Sequence, residues 1–128
     1  MWTLKSLTIS YSDSRTVVGE WFNSQTDSVQ NAFLVRMKFL VNLPGNAWDR
    51  PYVGQLHRKC KGLFEIVLEV ENVQHRPIGY FSGKEEFTFL FFATERDGKL
   101  DPPNTCWLAQ EAKTITLASK ERVREINV

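Results

Sequence analysis

The sequence predicts one α+β domain: two N-terminal helices packed on a small twisted antiparallel sheet, with a C-terminal helix. Three observations carry that expectation. Between residues 17 and 41 apolar side chains recur at spacings of three and four, the period of a helix face. Between 62 and 94 the pattern changes to alternation in segments rich in β-branched and aromatic residues, the signature of strands. No repeat and no Pro/Gly/Ser linker divides the 128 residues, a length suited to one domain.

The opening segment Thr3 to Ile9 reads as a short strand, ended by the polar cluster Ser10 to Ser14. Val17, Val18, Trp21 and Phe22 then share one helical face. The polar run Asn23 to Asp27 breaks that helix, and Thr26, Asp27 or Ser28 can cap a second. Its buried stripe is Val29, Phe33, Met37 and Leu40, widened by Leu34 and Val41. Pro44-Gly45 closes this helical hairpin. Asn46 to Lys61 is polar, basic and aromatic and reads as an ordered loop. Gly62 to Val70 reads as one strand, with Phe64, Ile66, Leu68 and Val70 on the core face and Leu63, Glu65, Val67 and Glu69 on the other. Arg76 to Ser82 and Phe87 to Thr94 complete a three-stranded meander. Asp101-Pro102-Pro103 is expected to open the last helix, which would bury Trp107, Leu108, Ala112, Ile115 and Ala118. The charged tail from Lys120 is expected to fray.

Composition narrows the function classes. About two-fifths of the chain is apolar, enough for one core without staples. The net charge is +1, so a nucleic-acid partner has to be met by a local basic patch rather than a global field. Cys60 and Cys106 lie far apart and outside any zinc spacing; they are read as two thiols in a reducing compartment, a disulfide between them being the alternative. Neither a signal-peptide core nor a run long enough for a membrane span is visible, which points to the cytoplasm. There is no nucleophile elbow, phosphate-cradling glycine loop or zinc-protease motif. No metal or other cofactor is expected.

What remains is a set of cations around the meander. His75 and Arg76 begin the middle strand, Arg96 and Lys99 follow the last, and His57, Arg58, Lys59 and Lys61 precede the first. Read singly, each is an ordinary solvated surface group. Read together, they would offer charge-assisted donors to phosphate and a surface for RNA. Arg76 is expected toward the end of the meander opposite Lys61 and Arg96, so full convergence is not expected. Trp48 and Tyr52 could stack on bases or cover the edge of the core. Glu65 and Glu69 are either a solvated face, a surface for a basic partner, or a pair for Arg76.

The order of motifs resembles a known superfamily. The chain reads ISYSDSRTVVGEWF, then a second helix, then RPYVGQL, KGLFEI and HRPIGYF, closing with FLFFATERDGKLDPP. This is similar to the phage-derived, HigB-like branch of the RelE/ParE toxins, over about residues 7 to 118. The resemblance implies a toxin of a type II toxin–antitoxin pair with a cognate antitoxin, of helix-turn-helix type. It further implies a metal-independent endoribonuclease that cuts ribosome-bound messenger RNA, the ribose 2′-hydroxyl attacking the adjacent phosphate. Carried over by position, Arg76 would stabilise the phosphate, Arg96 and Lys99 would bind phosphate or donate a proton, and Tyr80 would orient base or phosphate. Two positions depart from the pattern. Val67 stands where relatives often have arginine, and Thr94-Glu95-Arg96 where HigB-like proteins often carry a lysine pair. The alternatives are a non-catalytic binding protein on the same scaffold and a ParE-like gyrase inhibitor.

Overall fold

A computed structural model describes residues 1–128. Strand β1 (Thr3–Leu7) leads into helices α1 (Val17–Asn23) and α2 (Asp27–Val41). Short strands β2 (Val53–Gln55), β3 (Phe64–Ile66) and β4 (Leu68–Val70) follow, then the long strands β5 (Val73–Gly83) and β6 (Glu86–Arg96). Strand β7 (Lys99–Asp101), helix α3 (Thr105–Ala118) and strand β8 (Val123–Ile126) complete the chain. Thr16 caps α1 by accepting from the Gly19 N–H, and Thr26 caps α2 by accepting from the Val29 N–H. The α2 stripe Val29, Phe33, Met37 and Leu40 is buried as its spacing requires.

The architecture is α+β, but the expected small antiparallel sheet beneath an N-terminal helix pair is wrong. The sheet has eight strands and is mixed, running β2-β3-β5-β6-β1-β8, with β4 added to β5 and β7 to β6. Strand β1 pairs parallel with β6, and the other pairings are antiparallel. The helices are not a pair leading into a bare sheet, because β1 precedes them and α3 covers the opposite face. On one face Val18, Phe33, Met37 and Leu40 pack with Leu4, Ile66, Phe87 and Phe89. On the other, Ala109 and Ala112 of α3 pack with Leu63, Ile78, Tyr80 and Leu90. Burial on both faces explains why residues 75–80 and 87–90 are buried consecutively rather than alternately.

Several local expectations are also corrected. The strand from Gly62 to Val70 breaks at Val67, whose N–H donates to the Tyr52 carbonyl and whose carbonyl accepts from the Arg36 guanidinium. Strand β5 therefore pairs with β4 up to His75 and with β3 from Ile78, so Pro77 sits where that ladder is interrupted and its missing N–H costs no bond there. The loop before β3 holds β2, which pairs with β3. Asp101 ends β7 instead of opening a helix, and α3 begins at Thr105. It turns small residues, Thr105, Ala109, Ala112 and Thr116, toward the sheet, and leaves Trp107 60% exposed. Small side chains let the helix approach closely, so the bulky residues are displaced to its flanks and outer face. The tail does not fray. Strand β8 pairs with β1, and buried Arg122 donates to the Thr8 hydroxyl at 3.0 Å and the Thr8 carbonyl at 2.9 Å.

The two cysteines are not free thiols. Cys60 and Cys106 form a disulfide with Cα atoms 4.8 Å apart, joining the turn before β3 to the first turn of α3. At Gly79 a Cβ would overlap the Thr88 carbonyl oxygen and lie within 2.8 Å of the Phe87 ring, so only glycine lets β5 and β6 approach there. No helix is long and apolar enough to cross a membrane.

Candidate functional site

The cations singled out in the sequence separate into two groups. Arg76 belongs to the first, an ionic row across β3, β5 and β6. Its guanidinium lies 3.7 Å from Glu65 Oε1 and 3.5 Å from Glu95 Oε2, and it donates to the His75 carbonyl and the Gln74 amide oxygen. Arg50 approaches the other Glu65 oxygen at 3.9 Å. Arg76 and Glu65 are both buried, each 6% exposed. Burial pushes the Glu65 carboxyl above the ordinary glutamate range, against the pull of Arg76 and then Arg50. The row is a compensated charge network: the guanidinium placed at the phosphate by resemblance is already held between two carboxylates.

His75 and Tyr80 also have structural surroundings. His75 is buried with its ring edge to Trp21, and burial first, then nearby Arg76, lowers its basicity. It faces the α1 side of the sheet, where burial favours its neutral form. Tyr80 shares the strand with Arg76 but lies four residues on, roughly 13 Å along the chain. Its hydroxyl is hydrogen-bonded to Thr116 of α3 at 2.8 Å, and the Lys113 ammonium lies over its ring. The start of β5 pairs with the end of β6, Gln74 with Glu95, so Arg76 lies at the same end of the sheet as Arg96, not at the opposite end as expected. Even so, the depression that Arg96 and Lys99 line includes neither Arg76 nor Tyr80.

The second group gathers around the disulfide. His57, Arg58, Lys59 and Lys61 are all exposed, in and beside a tight helical turn at Arg58–Cys60. Cys60 ties this turn to Cys106, the Gln110 amide donates to the carbonyls of Lys59 and Lys61, and Lys113 reaches the Gly62 carbonyl. On the other side of Cys106 lies an open depression of about 710 Å³, lined by Arg96, Lys99, Asp97, Asp101, Thr105 and Cys106 among others. The disulfide thus seats the basic turn beside the α3 N-terminus, where Arg96 and Lys99 project from the β6–β7 hairpin. Arg58, Lys59, Lys61, Lys113, Arg96 and Lys99 outnumber the local carboxylates Asp97, Asp101 and Glu111. A flexible polyanion fits such a rim, because separate cations can neutralise successive phosphates.

Sequence reasoning missed the groups that fasten this face. Cys106, Gln110 and Lys113 stand at i, i+4 and i+7, which places them on one side of α3. That spacing was readable and marks a side-chain row facing a common neighbour. Nothing in the sequence identified the basic turn as that neighbour. In comparisons of the chain with family models, curated proteins and solved structures, nothing matches.

Proposed function

We propose that the chain is a toxin-like protein of a type II toxin–antitoxin pair that engages ribosome-bound messenger RNA in the cytoplasm. Its RNA-contacting groups are the cations fastened around Cys60–Cys106. The observation that carries this reading is the anchoring of the basic turn: Cys106, Gln110 and Lys113 of α3 hold Arg58, Lys59 and Lys61 beside the depression that Arg96 and Lys99 line. The order of motifs along the chain supplies the toxin class. On this reading Arg96 and Lys99 neutralise the phosphate at which the RNA is cut, and a cognate antitoxin covers the same face before release.

A second reading is an RNA-binding relative that does not cut. One observation favours it: Arg76 is shared between Glu65 and Glu95 and is not free to take a phosphate. Induction of the chain in cells, followed by mapping of transcript ends, separates the two. Growth arrest with new messenger ends that need translating ribosomes supports the endonuclease. RNA crosslinked to the chain without new ends supports the binder. Neither arrest nor crosslinked RNA would sink both.

A further inference from the structure

We propose that Trp107 is a base-stacking platform for single-stranded RNA beside the basic turn. The inference rests on the RNA-engaging reading of the basic face and names the group that would hold bases rather than phosphates.

Trp107 differs from the other three indoles. Trp2 and Trp48 are buried and stack on each other at 4.2 Å, and Trp21 stacks on Phe92 at 4.4 Å. Trp107 has no ring partner and is 60% exposed. Single exposed apolar residues are common and need no explanation alone. Its neighbours give this one a reason. It follows Cys106, which is bonded to the basic turn, and precedes by one helical turn Gln110, which donates to the Lys59 and Lys61 carbonyls at 3.2 and 2.8 Å. Residues three apart on a helix are surface neighbours, so the indole stands next to the point where the turn is fastened. Thr105 and Cys106, just before it, line the depression with Arg96 and Lys99.

A rim of separated cations around a bare aromatic face has the two elements that single strands use: charge for the backbone and a flat surface for bases. Glu111, exposed one turn further along α3, repels phosphate on that side. The strand is therefore directed across the start of α3, between the Arg58–Lys61 turn and the β6–β7 hairpin, rather than along the helix.

The test uses the full chain with a uridylate decamer and, as a base-free polyanion, inorganic polyphosphate. The decamer is expected to quench tryptophan emission and shield it from acrylamide, while polyphosphate binds without either effect. Trp107→Ala should weaken decamer binding about fivefold or more, the range of one lost base stack, with polyphosphate affinity unchanged. Trp107→Phe should recover most of the loss. Decamer binding that is equal in W107A and the parent chain overturns the stacking role while leaving the basic face intact. Equal loss of both ligands in W107A means a merely structural residue and overturns it too. Failure of the parent chain to bind either polyanion removes the RNA reading itself.

Discussion

Arg76 and Glu65 face one another from neighbouring strands, Nε to Oε1 at 3.7 Å, each with almost no solvent exposure. A pair this deep is expensive to break, because the survivor stays buried with only its more exposed second partner, Glu95 for Arg76 or Arg50 for Glu65. Glu65→Ala is expected to destabilise the fold by about 3 kcal/mol, and Arg76→Ala by a similar amount. The double variant should cost less than the sum, with a coupling of roughly 1–3 kcal/mol. Denaturant unfolding of the four proteins gives the cycle. Additive losses would mean that the two groups do not interact.

The Cys60–Cys106 bond closes a loop between residues 46 positions apart. The chain-entropy account of such a loop gives about 4 kcal/mol of stabilisation at most, since relief of strain and residual structure reduce it. Cys60→Ala/Cys106→Ala is expected to lose between roughly 2 and 4 kcal/mol and to loosen the basic turn. Hydrogen exchange at residues 58–62 reads the second effect. Alkylation at lysis reads the bond in cells; recovery of modified Cys60 and Cys106 would show the turn held by Gln110 and Lys113 alone.

His75 gives a pH dependence of known sign. Burial lowers its folded-state pKa below the unfolded value of 6.5. The unfolded chain therefore binds the proton first as pH falls, and stability declines from about pH 6.5 down to the lower folded-state value. Above pH 6.5 the contribution is fully present. Glu65, shifted upward, acts in the opposite sense near and above pH 4.5. His75→Phe should flatten the decline below about pH 6.5 in urea titrations. An unchanged slope in H75F would assign it elsewhere.

Gly79→Ala drives a methyl into the Thr88 carbonyl oxygen, between two central strands. Backbone cannot yield as a side-chain tip can, so the cost is expected to reach about 3 kcal/mol, the upper end of ordinary overpacking. Thermal unfolding of G79A checks it, with Gly98→Ala as a control for positive φ alone, since its Cβ would meet nothing within 4 Å.

Helices α1 and α2 were legible because their apolar residues recur at spacings of three and four, and Thr26 stands where a polar run ends to cap α2. The strands of the meander were legible as segments but not as a sheet. Parallel pairing of β1 with β6 joins residues more than eighty positions apart, and no local pattern encodes it. The same holds for β8, whose charged residues look like a loose tail until Arg122 finds Thr8. Alternation misled on the face of Glu65, which is covered where a solvated face was one reading, while the pair with Arg76 was among the alternatives weighed for that glutamate. Among the candidate site residues, those of the basic turn are exposed, as solvated cations would be. The surroundings of Arg76, His75 and Tyr80 were not legible, because what neutralises or ties them lies on other strands and on α3.

Affinity for a uridylate decamer across salt concentration tests the central claim most directly. The chain should bind with a steep negative slope of log affinity against log salt. Lys59→Ala/Lys61→Ala/Arg96→Ala/Lys99→Ala should flatten it by roughly 3, about 0.7 for each phosphate that is no longer neutralised. A quadruple variant whose slope and affinity equal those of the parent chain would contradict the assignment of this face to RNA.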